Sequence, residues 1–129
     1  MFLRKSILFL IIVFSLPLLA QDQSERLKRL AISHMNNGRY GEAIDLLNKY
    51  VSQNAQLADG YNLRGLCYEK RGEYVNAVYN YRHANKLNPE NQEIKTNLYR
   101  ATNDWHELLY KKIEWHNTEI AINPKNHLN

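Results

Sequence analysis

The feature that most constrains the fold is an internal sequence repeat. Residues 37–44, NGRYGEAI, align with residues 71–78, RGEYVNAV, at an offset of 34, with Gly, Tyr and Ala at the same places. A fixed period of about 34 residues is typical of a solenoid, in which one supersecondary unit repeats and each copy packs on its neighbours. The sequence therefore predicts a stack of similar units.

The apolar residues within each unit recur at helical spacing. In the first unit Ala43, Ile44 and Leu47 fall on one face of a 3.6-residue helix, and the spacing does not fit a strand. Gly38 and Gly72 fall just past a helical stretch, where a left-handed residue ends a helix. We therefore predict an all-α fold with helices near residues 24–37, 40–53, 57–71 and 74–87.

The second unit has aromatic residues, small residues and a closing proline at defined spacings: Tyr61, Gly65, Tyr68, Gly72, Tyr74, Ala77, Tyr81, Ala84 and Pro89. This pattern resembles a tetratricopeptide repeat. The first unit is similar through Leu27, Ala31, His34, Gly38, Tyr40, Ala43 and Leu47, with Tyr50 where a small residue is usual. The resemblance, to the small exported bacterial type, implies a solenoid of stacked antiparallel helix hairpins with about two and a half to three repeats.

The chain divides into a leader and one helical domain. The leader is residues 1–20 and the domain is residues 21–129, with repeat one at 24–57, repeat two at 58–91 and a degenerate third unit at 92–125. The third unit lacks the Gly-x-Tyr turn, and Asp104 could begin its second helix. We predict a terminal hairpin that covers the open apolar edge of repeat two, as solenoid ends require.

The leader has the pattern of a secretory signal. Arg4 and Lys5 precede an apolar run over residues 7–14, and Pro17 and Ala20 precede a polar segment. The alternative is an uncleaved membrane anchor, but the apolar run is shorter than the ~20 residues that span a bilayer. We therefore expect an exported protein, periplasmic or secreted, with no membrane span once the signal is cleaved after Ala20.

Composition and motifs argue against several functions. A net charge of +4 is too weak to suggest a nucleic-acid binder. The single cysteine, Cys67, excludes an intramolecular disulfide framework, and the five histidines lack the ligand spacing of a metal site. The sequence has no nucleophile elbow and no phosphate-binding loop. We therefore expect no catalytic residue, no cofactor and no metal.

The first helix of each unit lines the concave side of such a solenoid. The candidate groove residues there are Glu25, Lys28, Ile32, Met35, Asp59, Asn62, Leu66 and Glu69. Their mixed apolar and charged character suits an extended peptide or an amphipathic helix. The sequence therefore predicts a non-catalytic protein–protein interaction scaffold of the bacterial envelope.

A carboxylate clamp and self-assembly are the alternatives to peptide binding in this groove. Some tetratricopeptide proteins hold acidic C-termini through a carboxylate clamp, but only Lys28 matches it here, and Ile32 and Leu63 stand where amides are expected. The alternative function is structural: self-assembly into a homo-oligomer through the exposed solenoid ends, with Trp105 and Trp115 at the contact.

Overall fold

The computed structural model describes residues 21–122, with side chains described up to Glu119. Its five helices are α1 (21–36), α2 (Tyr40–Gln53), α3 (Ala58–Lys70), α4 (Tyr74–Leu87) and α5 (Gln92–Ile122), and this part of the chain contains no strand. α1 packs on α2 through a shared buried cluster, and α2 to α5 pack on each other in sequence, so the predicted all-α stack is confirmed. The leader predicted over residues 1–20 lies outside the described residues.

Two glycines end the first helix of each hairpin. Gly38 and Gly72 have φ angles of +71° and +75°, in the left-handed region that a side chain disfavours. Their N–H groups donate to the carbonyls of Met35 and Glu69, at 3.0 and 2.9 Å. These bonds close the α1–α2 and α3–α4 turns at the positions expected from the sequence.

A small residue facing a large one sets the spacing inside each hairpin. A Cβ atom placed on Gly65 would lie 2.7 Å from the Tyr81 ring, which is fully buried. In the first hairpin the equivalent positions are occupied by Ala31 and Leu47, and both are fully buried. The two hairpins therefore fill the same gap with different pairs of side chains.

Tyr50 joins the two hairpins. Its ring is fully buried against Gly60 at the start of α3, where a Cβ atom would lie 2.7 Å from the ring. The large residue at position 50 departs from the usual pattern of the repeat, and the missing side chain at Gly60 makes room for it.

The third unit is not a hairpin. Residues 92–122 form one continuous 31-residue helix, so the predicted turn and the predicted second helix beginning at Asp104 are wrong. The first half of α5 does pack against repeat two, through Ile94, Leu98 and Ala101. The open edge is therefore covered by part of one helix.

Two features of the sequence explain the continuous helix. No glycine or proline interrupts residues 92–122. The face of α3 that packs on α4 carries Tyr61, Gly65 and Tyr68, and the equivalent positions one repeat later are occupied by Lys95, Tyr99 and Thr102. Because Tyr99 is 72% exposed and lies between the polar residues Lys95 and Thr102, this face of α5 offers no apolar surface on which a second helix could fold back.

The length of α5 does not make it a membrane helix. Neither it nor any other helix within residues 21–122 combines the length and apolarity needed to cross a bilayer.

Candidate functional site

A groove of about 510 Å³ crosses the concave side of the solenoid. Lys28 and Ile32 of α1 form one wall, Asp59 and Asn62 of α3 form the floor, and Glu93 of α5 lies on the far wall. The groove exists because α1, α3 and α5 are the first helices of successive units and lie side by side.

Lys28 connects α1 to α3. Its Nζ atom donates to Glu25 Oε1 at 2.9 Å and to Asp59 Oδ2 at 3.0 Å, and its side chain is 22% exposed. Burial alone would lower the pKa of Lys28, but the hydrogen bonds to the two carboxylates raise it overall. The ammonium group is therefore firmly charged and is already bound by two anions.

Tyr50 also binds Asp59, the α3 partner of Lys28. Its hydroxyl donates to Asp59, with oxygen–oxygen distances of 3.1 and 3.2 Å, and the Gly60 N–H donates to the same carboxylate at 2.7 Å. The Lys28 Nζ lies 5.6 Å from the centre of the Tyr50 ring. Asp59 is thus fixed in position before any ligand arrives.

An amide pair connects α3 to α5. Asn97 donates through Nδ2 to Asn62 Oδ1 at 3.0 Å, and Asn62 donates through Nδ2 to Glu93 Oε1 at 3.1 Å. Both asparagines are buried, so each bond replaces water that the amides have lost.

A charged pair continues this connection at the other end of the two helices. Arg100 binds both carboxylate oxygens of Glu69, at 2.8 and 3.1 Å, and the Tyr81 hydroxyl donates to Glu69 at 2.6 Å. Burial would raise the pKa of Glu69, but the bonds from Arg100 and Tyr81 lower it overall. Glu69 therefore stays ionised and links the two helices.

Only some of the eight residues predicted for the groove lie in it. Lys28, Ile32, Asp59 and Asn62 line the cavity, and Glu25 is bound to Lys28 at its edge. Three others lie elsewhere: Met35 and Leu66 pack against the buried clusters, and Glu69 is paired with Arg100.

Sequence reasoning missed the polar partners Tyr50, Glu93, Asn97 and Arg100. A signal for two of them exists: three of the contacts between adjacent first helices join residues 31 positions apart, and a fourth, Asn62–Asn97, joins residues 35 positions apart. The pairs at a spacing of 31 are Lys28–Asp59, Asn62–Glu93 and Glu69–Arg100. The spacings of 31 and 35 differ by about one helical turn, so both join residues on the facing sides of neighbouring first helices.

The charge around the cavity is negative. Of the residues that line it, Lys28 contributes one positive charge and Asp59 and Glu93 contribute two negative charges. Glu25 at its edge adds a third negative charge, so the net charge of these four residues is 1 − 3 = −2. Among residues 21–119, no group of three His, Cys, Asp or Glu side chains is placed to hold a metal ion. Cys67 is fully buried, and burial raises the pKa of its thiol to about 11. The arrangement is suited to recognising a ligand by charge and shape.

Comparison with known proteins gives a sequence match and several matches to the fold. The family model of the tetratricopeptide repeat matches residues 58–91. The photosystem I assembly protein Ycf3 of Prochlorococcus marinus is 42% identical over 53 residues, which is 41% of this chain. The match spans only 31% of the length of that relative.

Solved structures with low sequence identity share the fold. The Sgt2 TPR domain from Aspergillus fumigatus has a TM-score of 0.63 and 22% identity, over 66% of this chain and 56% of that one. The second TPR domain of human RPAP3, solved in complex with the HSP70 peptide SGPTIEEVD, has a TM-score of 0.65 and 18% identity, over 84% of this chain and 89% of that one. At these identities the likeness establishes the helical architecture alone.

Proposed function

We propose that this chain, which is a tetratricopeptide-repeat protein, is a non-catalytic scaffold of the bacterial envelope that binds a peptide or helix of a partner protein. The observation that carries the proposal is the 510 Å³ groove that crosses three parallel first helices. Solenoids of this kind bind partners along the concave face, and the peptide complex of the RPAP3 domain supports the same use here. The pattern of the leader over residues 1–20 supports export.

The groove selects a partner by charge. Among the described residues Lys28 is the one cation that lines it, and it is already bound to Glu25 and Asp59. Together with Glu93, these residues carry a net charge of −2. An acidic C-terminus would meet carboxylates without a free ammonium group to receive it. The matching ligand is a segment with Lys or Arg side chains for Glu93 and with apolar side chains for Ile32.

A direct binding measurement tests this chemistry. The probes are a fluorescein-labelled peptide of alternating Lys and Leu, its counterpart with every Lys replaced by Glu, and the acidic peptide SGPTIEEVD. Fluorescence anisotropy should show binding of the Lys–Leu peptide only, weakening as salt screens the attraction. Stronger binding of either acidic peptide would refute the charge argument.

A matched pair of substitutions locates the binding. Glu93→Gln removes a charge from the groove wall, and Glu90→Gln removes the same charge from an exposed position that does not line it. Glu93→Gln should weaken the Lys–Leu peptide about threefold, as expected for one partly exposed charge pair, whereas Glu90→Gln should not. Equal effects would show that only the overall charge of the chain attracts the peptide.

The natural partner can be identified by crosslinking in the native envelope. A photo-crosslinking residue at Ile32, which is 37% exposed in the groove, should capture a specific protein, identified by mass spectrometry. The control is the same residue at Tyr79, which is 67% exposed on α4. If both positions capture the same proteins, or Ile32 captures none, the groove is not the binding surface.

A further inference from the structure

The second half of α5 extends beyond the helix on which it packs. α5 has 31 residues and α4 has 14, so their lengths are about 46 and 21 Å at 1.5 Å per residue. Residues 106–119, which we call the overhang, are all exposed. They include four large apolar side chains: Leu108 at 52%, Leu109 at 47%, Ile113 at 49% and Trp115 at 64% exposure.

The overhang continues an interface that already exists. The seam consists of Leu98, Ala101, Trp105, Leu108, Lys112 and Trp115, at alternating steps of three and four residues. Leu98, Ala101 and Trp105 use it to pack against α4. Alternating steps of three and four are the spacing that keeps one helix in contact with another along its length. The seam therefore fits a helical partner beyond the point where α4 begins.

The same surface presents a hollow and a side chain that can fill it. A hollow of about 340 Å³ lies between the first turn of α4, around Tyr74, and the residues Trp105, Leu108 and Lys112. Trp115, which is 64% exposed, lines an adjoining hollow that shares Leu109 and Lys112 with the first. A surface that carries both members of a contact is self-complementary, which a two-fold dimer requires.

We propose that a second copy of this chain docks on the overhang. The two α5 helices run antiparallel about a two-fold axis near residue 110, and Trp115 of each copy fills the hollow beside Trp105 of the other. About this axis Leu108 of each copy lies opposite Lys112 of the other. The two-fold axis therefore does not place two ammonium groups of the seam against each other.

The exposed apolar surface suits a weak dimer. Trp115 is 64% exposed, and a tryptophan buries about 150–250 Å² when it is fully covered. Leu108 and Val75, at 52% and 59% exposure, are smaller aliphatic side chains and add less. The contact is therefore smaller than the interface of a stable dimer, which buries at least about 1,000 Å² in total, and monomer and dimer should both be observable at micromolar concentrations.

The test measures oligomeric state and tryptophan environment in the protein purified from full-length expression. Light scattering over about 1–300 µM, a range that brackets a micromolar Kd, should show a mass rising from monomer to dimer. The chain has two tryptophans, both on the seam, so their emission should shift to the blue over the same concentrations as Trp115 leaves water. Trp115→Glu should weaken dimerisation at least tenfold, and Tyr99→Glu, at a 72% exposed position on α5 away from the overhang, should not.

Three results would overturn the proposal: a monomer at every concentration, a Trp115→Glu variant that dimerises as well as the wild type, or a mass that grows past two copies. Circular dichroism of the variants separates loss of the interface from loss of the fold, because Trp115 lies outside the buried clusters. None of these results bears on peptide binding, since the groove lies on α1, α3 and the start of α5.

Discussion

Replacing Gly65 with alanine tests how tightly the second hairpin is packed. The added Cβ would lie 2.7 and 2.8 Å from two carbons of the Tyr81 ring. Carbon atoms in contact prefer about 3.5–4.0 Å, so the ring must retreat by roughly 0.8 Å. It has little freedom to do so, because Tyr81 is fully buried and its hydroxyl is bound to Glu69 at 2.6 Å.

Two opposing effects decide the magnitude. Overpacking of a filled core costs about 1–3 kcal/mol, and alanine gains up to about 1 kcal/mol over glycine inside a helix. Because the ring is held at both ends, the packing cost lies in the upper part of its range. Gly65→Ala should therefore lower the free energy of unfolding by about 1–2 kcal/mol, the packing cost less the gain in helix propensity.

The assay is urea unfolding followed by circular dichroism, with Gly41→Ala as the control. Gly41 is also helical, but its added Cβ would meet only Arg71 Nη1 at 3.8 Å, so that variant should be more stable by about 0.5–1 kcal/mol. The two glycine-to-alanine changes should thus have opposite signs. A Gly65→Ala variant as stable as the wild type would refute the close-packing argument.

A double-mutant cycle measures the packing between residues 65 and 81 separately from helix propensity. The first hairpin pairs Ala31 with Leu47 at the equivalent positions, so Gly65→Ala combined with Tyr81→Leu recreates a pair that this chain already uses. The double variant should be about 1 kcal/mol more stable than the sum of the single effects predicts. Additive effects would mean that residues 65 and 81 do not share the gap.

Two further predictions concern titratable groups. Because the folded-state pKa of Glu69 lies below the ordinary value of 4.5, its contribution to stability is complete above about pH 4.5 and is lost as the pH falls through the folded pKa. Acid unfolding of Glu69→Gln should therefore depend less on pH below about 4.5 than that of the wild type, and parallel curves would contradict the role of Glu69. Cys67, fully buried with a thiol pKa raised to about 11, should react with iodoacetamide only as fast as the protein opens, so a rate in native buffer equal to that in urea would show that the thiol is accessible.

The hairpins are predictable from the sequence because their signals are local. The helices expected at residues 40–53 and 74–87 have those bounds in the structure, since Gly38 and Gly72 mark the preceding turns through their backbone conformation. The prediction for α5 is wrong because the apolar stripe from Trp105 onward has the same spacing in a continuous helix as in a helix that folds back. The informative residue is Tyr99, on the face that a returning helix would have to cover.

The candidate groove is predictable only in part. Comparing successive repeats aligns equivalent positions and identifies Lys28 and Asp59 as groove residues. It does not show which residues touch between neighbouring helices, because those contacts join positions that are not equivalent in the repeat. A lysine by itself would make this part of the groove positive. Because two carboxylates bind Lys28, the local charge is negative instead, and only the three-dimensional arrangement shows this.

The exposed face of α5 also limits how copies of this protein can aggregate. If positions 95, 99 and 102 repeated the Tyr61, Gly65 and Tyr68 of α3, this face of α5 would provide a packing surface for a helix of another copy. Such a heterologous contact propagates without closing and produces fibres. With Lys95, Tyr99 and Thr102 at those positions, the face lacks that packing surface. The side chains on this face of α5 therefore disfavour end-to-end polymerisation of the protein along the axis of its own solenoid.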